Sequence, residues 1–370
     1  MTNDLSPSPP PLVTVILPVR NEGEFIERSL GSVVEQTWLK RHGADRLEIL
    51  VVDGRSTDDT RERVESVARS HPELCLRLLD NPGRTAPCAL NVGLRQARGD
   101  VILRVDGHAE IEPGYLERAV ELLEEHGADG VGGVLQTLGE GLVPRAIAAA
   151  MASRFGVGGA AFRVLPPGAP PRPSDTIAFP VYRRSAVART GGFDEELMRD
   201  QDDEWNYRLR ASGGKLLTSG DLVARYYSRS TLGRLAKQYF QYGLYKVRVL
   251  QLHPRQMSLR QFIPPTFVAA LAASLLIWHS LAAWSERPFP PWLPLVAVAG
   301  SYLLANLVAS VLTSLRSGIG LLPVLPMAYA ILHVAYGSGF LLGFVRWRGR
   351  WRDAGQIPDL GWTGSEEEAS

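Results

Sequence analysis

The feature that most constrains this chain is a long region near its C-terminus that carries almost no charge. Between residues 261 and 345 the only charged residues are Glu286, Arg287 and Arg316. They leave three uncharged stretches, each longer than the ~20 residues that a helix needs to cross a bilayer. Soluble helices of this length almost always have a charged face, so the region predicts transmembrane helices. The expected spans are 264–284, 293–312 and 322–345.

The sequences flanking these spans give conflicting predictions of orientation. If the N-terminal half faces the cytoplasm, three spans place the C-terminus outside. The tail, however, begins with the densest basic cluster beside any span, which is typical of the cytoplasmic side; this cluster is Arg346, Arg348, Arg350 and Arg352. Either the third stretch, which is interrupted by Pro323, Pro326 and the glycines Gly337 and Gly339, is re-entrant, or the tail is an exception to the rule.

Composition excludes several other classes of protein. With 45% apolar residues the chain is not disordered as a whole, and 40 basic against 39 acidic residues leave no basic excess for nucleic acid. The two cysteines, Cys75 and Cys88, form neither a metal-ligand spacing nor a disulfide framework, which favours a reducing compartment such as the cytoplasm. The N-terminal residues 1–11 lack the pattern of a signal peptide, and we expect them to be a disordered lead-in.

The N-terminal half alternates short apolar runs with helical patterns. The predicted strands are Val13–Leu17, Leu47–Val52, Leu74–Leu79 and Val101–Val105. The predicted helices are Glu24–Glu35, Thr57–Arg69 and Ala86–Ala97. Such βα units indicate an α/β domain with a mainly parallel sheet. No GxGxxG sequence follows the first strand, which counts against a dinucleotide-binding Rossmann domain.

Polar clusters follow the carboxyl ends of these strands, where ligands of open α/β sheets bind. Three of these clusters begin at Pro18, Asp53 and Asp106. After the third strand, Arg84 precedes a helix whose free amides would suit a diphosphate. Each has a structural alternative, since Asp-Gly is a common turn and a loop arginine is often simply solvated. Glu22 could equally serve the dipole of the first helix.

A basic and aromatic segment precedes the spans. Over residues 231–252 the cations Arg234, Lys237, Lys246 and Arg248 are mixed with apolar and tyrosine side chains. This pattern predicts an amphipathic helix at an anionic membrane surface.

Six segments of the chain, taken together in their order and spacing, resemble the family 2 glycosyltransferases of the GT-A fold. Within that family, they are similar to the succinoglycan-type exopolysaccharide glucosyltransferases that carry a C-terminal membrane region. They are VTVILPVRNEGEFIERSL, LEILVVDGRSTDDT, NPGRTAPCALNVGLRQARGDVILRVDGH, GGFDEEL, RDQDDEWNYRLR and LAKQYFQYGLYKVRVLQLHP. The resemblance implies a GT-A nucleotide-diphospho-sugar transferase domain over 12–230. The interfacial region 231–260, the transmembrane region 261–345 and a basic, then acidic tail 346–370 would follow it.

The resemblance also implies roles at the donor site. Asp53 would accept a hydrogen bond from the uracil ring, with Pro18 and Glu22 beside the nucleotide and Arg84 near the diphosphate. Asp106 lies at the position of the family's DxD motif, which holds Mg²⁺ or Mn²⁺ across the two phosphates. His108 replaces the second acid of that motif, so it is expected either to ligate Mn²⁺ or to contact sugar or phosphate.

On the acceptor side, the family's Glu-Asp pair falls on Gln201 and Asp202. Asp202 is therefore the expected general base, with Asp203 as the alternative, although acids in a first helical turn also serve capping. Gln238 and Tyr242 lie where processive relatives carry QxxRW, with tyrosine replacing tryptophan. This difference and the small number of spans favour the addition of one sugar per encounter.

Together these features predict an inverting transferase in the cytoplasmic membrane, with multiple spans and a cytoplasmic catalytic domain. The donor would be a UDP-hexose, with UDP-glucose first, and the acceptor a polyprenyl-diphosphate-linked saccharide in exopolysaccharide or cell-surface glycan synthesis. Other polysaccharide-assembly proteins are expected partners, whereas nucleic acid is not. The replacements at Gln201 and His108 leave a catalytically inactive, sugar-nucleotide-binding scaffold as the alternative. A transporter subunit would need ionisable residues inside the spans, and only His279 and His333 lie there.

Overall fold

The computed structural model describes residues 9–227, 231–282 and 290–362. Several predicted features lie wholly or partly outside these residues: the lead-in 1–8, the end of the first span at 283–284, the Pro-rich connector from Arg287, and the acidic end 363–370. The chain divides into two compact units. Unit 1 contains Met1–Gln136, Leu165–Tyr226 and Gly355–Ser370, and unit 2 contains Thr137–Val164 and Tyr227–Ala354.

Unit 1 is built on a nine-stranded sheet. Its strands are β1 (Val13–Val19), β2 (Leu47–Asp53), β3 (Cys75–Asp80), β4 (Val101–Arg104), β5 (Ala109–Ile111), β6 (Gly130–Leu138), β7 (Arg172–Pro173), β8 (Ala178–Arg183) and β9 (Leu216–Tyr227). Their order is β3-β2-β1-β4-β8-β6-β9-β5, with β7 paired to β9. The four strands expected from the sequence are the parallel part. Because β8 runs antiparallel to β4 and β6, and β5 and β7 antiparallel to β9, the whole sheet is mixed.

Fourteen α-helices accompany these strands in the described residues. Those of unit 1 are α1 (Ile26–Val34), α2 (Thr37–His42), α3 (Thr60–Ser70), α4 (Ala86–Gln96), α5 (Tyr115–His126), α9 (Arg184–Thr190) and α10 (Gln201–Ala211). Those of unit 2 are α6 (Leu142–Met151), α7 (Arg154–Val157), α8 (Ala161–Val164), α11 (Leu232–Leu252), α12 (Ile263–Ala282), α13 (Leu293–Ser317) and α14 (Leu325–Arg346). Single 3₁₀ turns occur at Ala44–Arg46, Pro254–Gln256, Leu259–Phe262 and Ile319–Leu321.

The sheet of unit 1 buries both of its faces. Along β2 every residue is buried, as expected for a parallel strand covered by helices on two sides. Ile49 and Val51 belong to one core with α1 and α5, whereas Leu50 and Val52 belong to a second core with α4 and α10. β2 also buries an acid, Glu48, which accepts hydrogen bonds from Thr14 Oγ1 and Arg98 Nε, both at 2.8 Å.

Among the described residues, three helices are long and apolar enough to cross a membrane, and all belong to unit 2: Leu259–Ser280, Leu293–Ser317 and Leu325–Arg346. The last of these, α14, packs along α11. Glycines bring the two backbones into contact, since a Cβ placed on Gly339 would lie 2.0 Å from the carbonyl oxygen of Phe240. Further along both helices, Gly343 lies against Val247, so α11 and α14 run in the same direction.

The chain beyond α14 returns to unit 1. The backbone amide of Gln356 donates to Asp194 Oδ1 at 3.0 Å, and the carbonyl oxygen of Gln356 accepts from the amide of Glu195. Leu360 is 8% exposed within the second core, and the guanidinium of Arg184 lies 3.8 Å from the ring centre of Trp362. The residues 355–362 of the tail are therefore part of the folded unit 1.

Candidate active site

The candidate site lies in unit 1, at the edge where the parallel strands end. Four loops or helix starts at this edge each contain a non-glycine residue with positive φ: Asn21 after β1, Arg55 after β2, Arg84 after β3 and Asp200 before α10. Such conformations are costly and concentrate at functional sites. The amide of Asn21 donates to Ser56 Oγ and its Oδ1 accepts from the amide of Thr57, which ties the first two loops together.

Asp53, the last residue of β2, forms the floor of this edge. Its side chain is completely buried and pairs with Arg61 Nη1 at 2.7 Å. The amide of Ser56 donates to both carboxylate oxygens, at 3.1 and 3.2 Å, and the Ser56 hydroxyl donates to Oδ1. A carboxylate has about four acceptor positions, and these contacts fix the plane of the Asp53 carboxylate.

Glu22 and His108 form a pair across two strand ends. His108 Nδ1 lies 2.9 Å from Glu22 Oε1, and the His108 ring meets the edge of Tyr226 with ring centres 4.9 Å apart. A Cβ on the intervening Gly107 would lie 2.9 Å from Val19 and 3.0 Å from Glu22. Glycine at 107 therefore allows the loop after β4 to approach the end of β1.

Arg104, at the end of β4, connects two further carboxylates. Its Nε and Nη2 atoms donate to Asp106 Oδ1 at 3.1 and 2.8 Å, and Nη1 donates to Asp202 Oδ1. The guanidinium side chain is 14% exposed, against 27% for Asp106 and 36% for Asp202. One partly buried cation thus bridges the end of β4 and the first turn of α10.

The two carboxylates respond differently to this environment. Burial would raise the pKa of Asp106, but the attraction of Arg104, together with that of His108 and Arg199, outweighs it and holds this pKa below its ordinary value. Burial raises the pKa of Asp202, and Arg104 offsets only part of the effect. Asp106 is therefore the more firmly ionised of the two, and Asp202 binds a proton more readily.

The neighbours of Asp202 in the first turn of α10 do not share its contact with Arg104. Gln201 is buried, and Glu204 is buried in an ion pair with Arg208 at 2.7 Å. Asp203 is half-buried on the same first turn. Among the acids 202–204, Asp202 is the one whose bond to Arg104 connects α10 to the strand edge, whereas Glu204 supports the helix.

Pro18 and Arg84 both lie at this edge, Pro18 in β1 and Arg84 in the loop after β3. Pro18 is half-buried near the end of β1, in register with Val52 of β2. Arg84 is exposed in the loop before α4, and its carbonyl oxygen accepts a 3.4 Å hydrogen bond from Arg20 Nη1. Two exposed cations, Arg20 and Arg84, therefore lie near the N-terminus of α4.

Gln238 and Tyr242 belong to α11 in unit 2. Gln238 is 7% exposed and its Nε2 donates to the Tyr242 hydroxyl at 3.1 Å. Tyr242 also meets Tyr239 edge-on, with ring centres 5.5 Å apart. One turn of the helix thus orients the phenol of Tyr242.

The donor set of the site suits a divalent ion only in part. Within residues 9–227, 231–282 and 290–362, no three His, Cys, Asp or Glu side chains form a group that could hold a metal ion. Asp106 Oδ1 is engaged by Arg104, and His108 Nδ1 by Glu22. Because Mg²⁺ is commonly bound by one or two carboxylates plus substrate phosphates, the residues fit an ion completed by a diphosphate and do not fit a protein-only centre.

Sequence reasoning missed two arginines of the site, Arg104 and Arg61. Arg104 is a cation at the end of an otherwise apolar strand, two residues before Asp106. Alternate residues along a strand face the same side, so this spacing was the available signal for the Arg104–Asp106 pair. The bond to Asp202, 98 residues away in sequence, has no local signal.

We predict that Arg104→Gln destabilises the protein in a pH-dependent way. Without the cation, Asp106 and Asp202 repel each other and both pKa values rise. The loss of stability is then largest at neutral pH and shrinks as the pH falls and one carboxyl takes up a proton. We expect less than the ~3–5 kcal/mol typical of breaking a fully buried pair, because Asp202 is 36% exposed. Thermal melting of the detergent-solubilised chain at several pH values measures this.

Two variants control that experiment. Arg118→Gln removes a surface arginine that pairs with Glu121, Glu125 and Asp221, and should cost little at any pH. The double variant Arg104→Gln/Asp202→Asn should recover part of the loss, since one of the two like charges is removed. A pH-independent loss in Arg104→Gln would contradict the description of Arg104 as the cation shared by two ionised carboxylates.

Comparison with known proteins agrees with this architecture. The family profile described as "Glycosyl transferase family 2" matches residues 14–187. The chain is 30% identical to the succinoglycan biosynthesis protein ExoA of Rhizobium meliloti (strain 1021), over 90% of this chain and 96% of that protein. It is 29% identical to the dolichyl N-acetyl-alpha-D-glucosaminyl phosphate 3-beta-D-2,3-diacetamido-2,3-dideoxy-beta-D-glucuronosyltransferase of Methanococcus voltae, over 63% and 72% of the two chains.

Among solved structures, the mannosyltransferase PcManGT from Pyrobaculum calidifontis, in complex with GDP-Man and Mn²⁺, superposes with a TM-score of 0.54. It shares 21% sequence identity, and the match covers 90% of this chain and 87% of that one. This likeness shows the fold, whereas the identity and coverage of the Rhizobium relative show the family. The chain is therefore a glycosyltransferase that belongs to glycosyl transferase family 2 and has the GT-A fold.

Proposed function

We propose that this glycosyltransferase transfers a hexose from a UDP-sugar, with UDP-glucose the first candidate, to a polyprenyl-diphosphate-linked saccharide. The observation that carries the proposal is the convergence, at one sheet edge, of Asp53, the paired Asp106 and Asp202, and Arg104 between them. The names of two relatives, one in succinoglycan biosynthesis and one acting on a dolichyl-linked sugar phosphate, support exopolysaccharide or cell-surface glycan synthesis and a lipid-linked acceptor.

The donor nucleotide would bind above Asp53. Ser56 and Arg61 already occupy this carboxylate, so the ring N–H of uracil would take the place of one of these donors. Pro18 and Glu22 would border the nucleotide. The exposed Arg84 and Arg20, beside the free amides at the start of α4, would compensate the charge of the diphosphate.

A divalent cation, Mg²⁺ or Mn²⁺, would assist departure of the nucleoside diphosphate by neutralising its charge. Asp106 is the residue that would hold it, because the low pKa of Asp106 keeps a hard oxygen ligand ionised. His108, paired with Glu22 at 2.9 Å, would provide a second ligand or a contact to the sugar or a phosphate. The ion would be completed by phosphate oxygens, and Arg104 would keep Asp106 in place.

Asp202 would act as the general base of a single inverting displacement. The acceptor hydroxyl oxygen bonds to the anomeric carbon while the bond from that carbon to the diphosphate breaks, and the hydroxyl proton moves to Asp202. An α-linked donor then gives a β-glycoside. The raised pKa of Asp202 strengthens it as a base, and the bond to Arg104 fixes the direction of its carboxylate. Asp203 is the alternative base on the same turn.

The enzyme would reach its acceptor at the cytoplasmic face of the inner membrane, to which the apolar helices of unit 2 attach it. Tyr242, oriented by Gln238, would contact the acceptor or diphosphate in place of the processive enzymes' tryptophan. We therefore propose transfer of one sugar per encounter, with other assembly proteins extending or exporting the product. An inactive scaffold is disfavoured because such a role does not require the Asp202–Arg104–Asp106 arrangement.

Incubation of the purified enzyme with labelled UDP-glucose and a polyprenyl-diphosphate-linked saccharide should yield a product one hexose heavier by mass spectrometry. Asp202→Asn should lower kcat about 10²- to 10⁴-fold while UDP affinity and thermal stability remain near the wild-type values, because asparagine keeps the size of the side chain and an oxygen that can accept from Arg104.

Asp203→Asn is the matched control, since it makes the same change on the neighbouring residue of the same helical turn. Loss of transfer in Asp203→Asn, with activity kept in Asp202→Asn, would move the base to Asp203. A ladder of longer products would contradict single addition. Tight UDP binding with neither transfer nor hydrolysis, under every donor tried, would leave the scaffold as the function.

We also predict that Asp106→Ala removes the dependence of UDP binding on Mg²⁺ or Mn²⁺, because the ion loses its carboxylate. Calorimetric titration of UDP with and without each metal measures this. His108→Ala should keep the metal dependence but change which ion works better, if His108 is a ligand. Metal-enhanced UDP binding that is unchanged in Asp106→Ala would place the ion elsewhere.

A further inference from the structure

The two ends of the membrane-associated part of the chain adjoin the same folded unit. The strand β9 of unit 1 precedes α11, and residues 355–362 return to unit 1 directly after unit 2. The return is held by specific contacts: backbone bonds between Gln356 and both Asp194 and Glu195, burial of Leu360, and the stacking of Arg184 on Trp362. Residues that precede the apolar helices in the chain and residues that follow them thus belong to one hydrophobic core, which contains both Leu216 and Leu360.

We infer that the chain crosses the bilayer twice, through α12 and α13, and that α14 does not cross. A unit that lies on one side of a membrane can be left and re-entered only after an even number of crossings. Three crossings would place residues 355–362 on the opposite side from the core that contains Leu360. One of the three apolar helices must therefore stay on the catalytic side.

The helix that stays is identified by its packing. In an apolar 18-residue stretch of each helix, 39% of the α14 residues are buried within the protein, against 11% for each of the other two helices. Its partner α11 runs parallel to it, and α11 carries four cations, of which Lys246 is 4% exposed and Arg248 fully buried. Ionised residues are costly at membrane depth. Because α14 follows α11 turn by turn, it lies at the same depth as this basic helix.

The insertion 137–164 leads to the same conclusion. Tyr329 of α14 donates from its hydroxyl to Ser153 Oγ at 2.9 Å, and His333 Nε2 lies 2.8 Å from the carbonyl oxygen of Phe155. The chain leaves unit 1 and returns to it within this insertion. Two crossings would need about 40 residues, and the insertion is shorter, so it stays on the catalytic side and holds α14 there.

The other two helices have the surfaces of a membrane hairpin. Large apolar side chains are exposed along them, including Leu276 of α12 at 66%, and Leu304 and Leu315 of α13 at 65% and 68%. In water such a surface would drive aggregation, whereas lipid chains suit it. By contrast, α14 has buried residues along its length, including Ala328, Leu332 and Phe340.

The basic tail also belongs on the catalytic side. Arg248 of α11 donates through Nη1 to the carbonyl oxygen of Arg350 at 3.0 Å, and through Nη2 to that of Ala354 at 3.1 Å. The arginine-rich residues 346–352 are thereby fixed to α11. This agrees with the positive-inside tendency and removes the conflict that three spans create.

Cysteine labelling in oriented membrane vesicles tests the inference. The natural cysteines, Cys75 and Cys88, are first replaced by alanine, and single cysteines are introduced at Gly349, Gly114 and Trp292. Gly349 and Gly114 are exposed positions where a Cβ meets nothing within 4 Å, and Trp292 is 48% exposed at the start of α13. Labelling with a membrane-impermeant maleimide is compared between right-side-out and inside-out vesicles.

Gly349→Cys and Gly114→Cys should label together, only in inside-out vesicles, and Trp292→Cys only in right-side-out vesicles. Labelling of Gly349→Cys on the side opposite to Gly114→Cys would mean an odd number of crossings and would overturn the inference. So would labelling of Trp292→Cys together with Gly114→Cys, since α12 and α13 would then not cross. If a cysteine variant does not fold, an epitope tag after Ser370 in the natural chain, digested by protease from each side, gives the same comparison.

The inference rests on the proposed membrane attachment and not on the proposed chemistry. Transfer of hexose by the same vesicles therefore fails or succeeds independently of the labelling pattern.

Discussion

The candidate active site depends on the guanidinium of Arg104. It places one cation between two carboxylates, Asp106 after β4 and Asp202 at the start of α10, whose chain positions are far apart. Without Arg104, the two negative charges of Asp106 and Asp202 would be partly buried side by side. Removing one partner of a buried ion pair is strongly destabilising, because it leaves a buried charge without compensation. The bridge holds the pKa of Asp106 below its ordinary value, whereas burial keeps that of Asp202 above it, so the two neighbouring acids are suited to different tasks.

Much of this architecture follows from local sequence patterns. The strands β1 to β4 and the helices α1, α3 and α4 lie within a few residues of their predicted positions, because apolar runs and helical periodicity are local properties. Asp53 and Asp106 were predictable for the same reason, since each follows a buried strand at the edge where parallel sheets bind ligands. Asp202 was found through the family's motif, and the structure adds its contact with Arg104.

What the sequence did not reveal depends on distant contacts. The antiparallel half of the sheet consists of short strands such as β5 and β7, whose order depends on tertiary pairing. The insertion 137–164 and the tail 355–362 have no distinctive periodicity, yet the first packs on α14 and the second enters the core of unit 1. Three apolar stretches indicated three spans because hydropathy measures composition, whereas the packing of α14 against α11 favours two crossings.

The pH dependence of kcat in wild type and Arg104→Lys tests the central claim, that Arg104 tunes the carboxylate that removes the acceptor proton. Lysine keeps a positive charge but loses the bidentate geometry that reaches Asp106 and Asp202 together. Weaker attraction raises the pKa of Asp202, so the acidic limb of the profile should move to higher pH, and Asp202→Asn should abolish that limb. An acidic limb at the same pH in both proteins would show that Arg104 does not control the catalytic base.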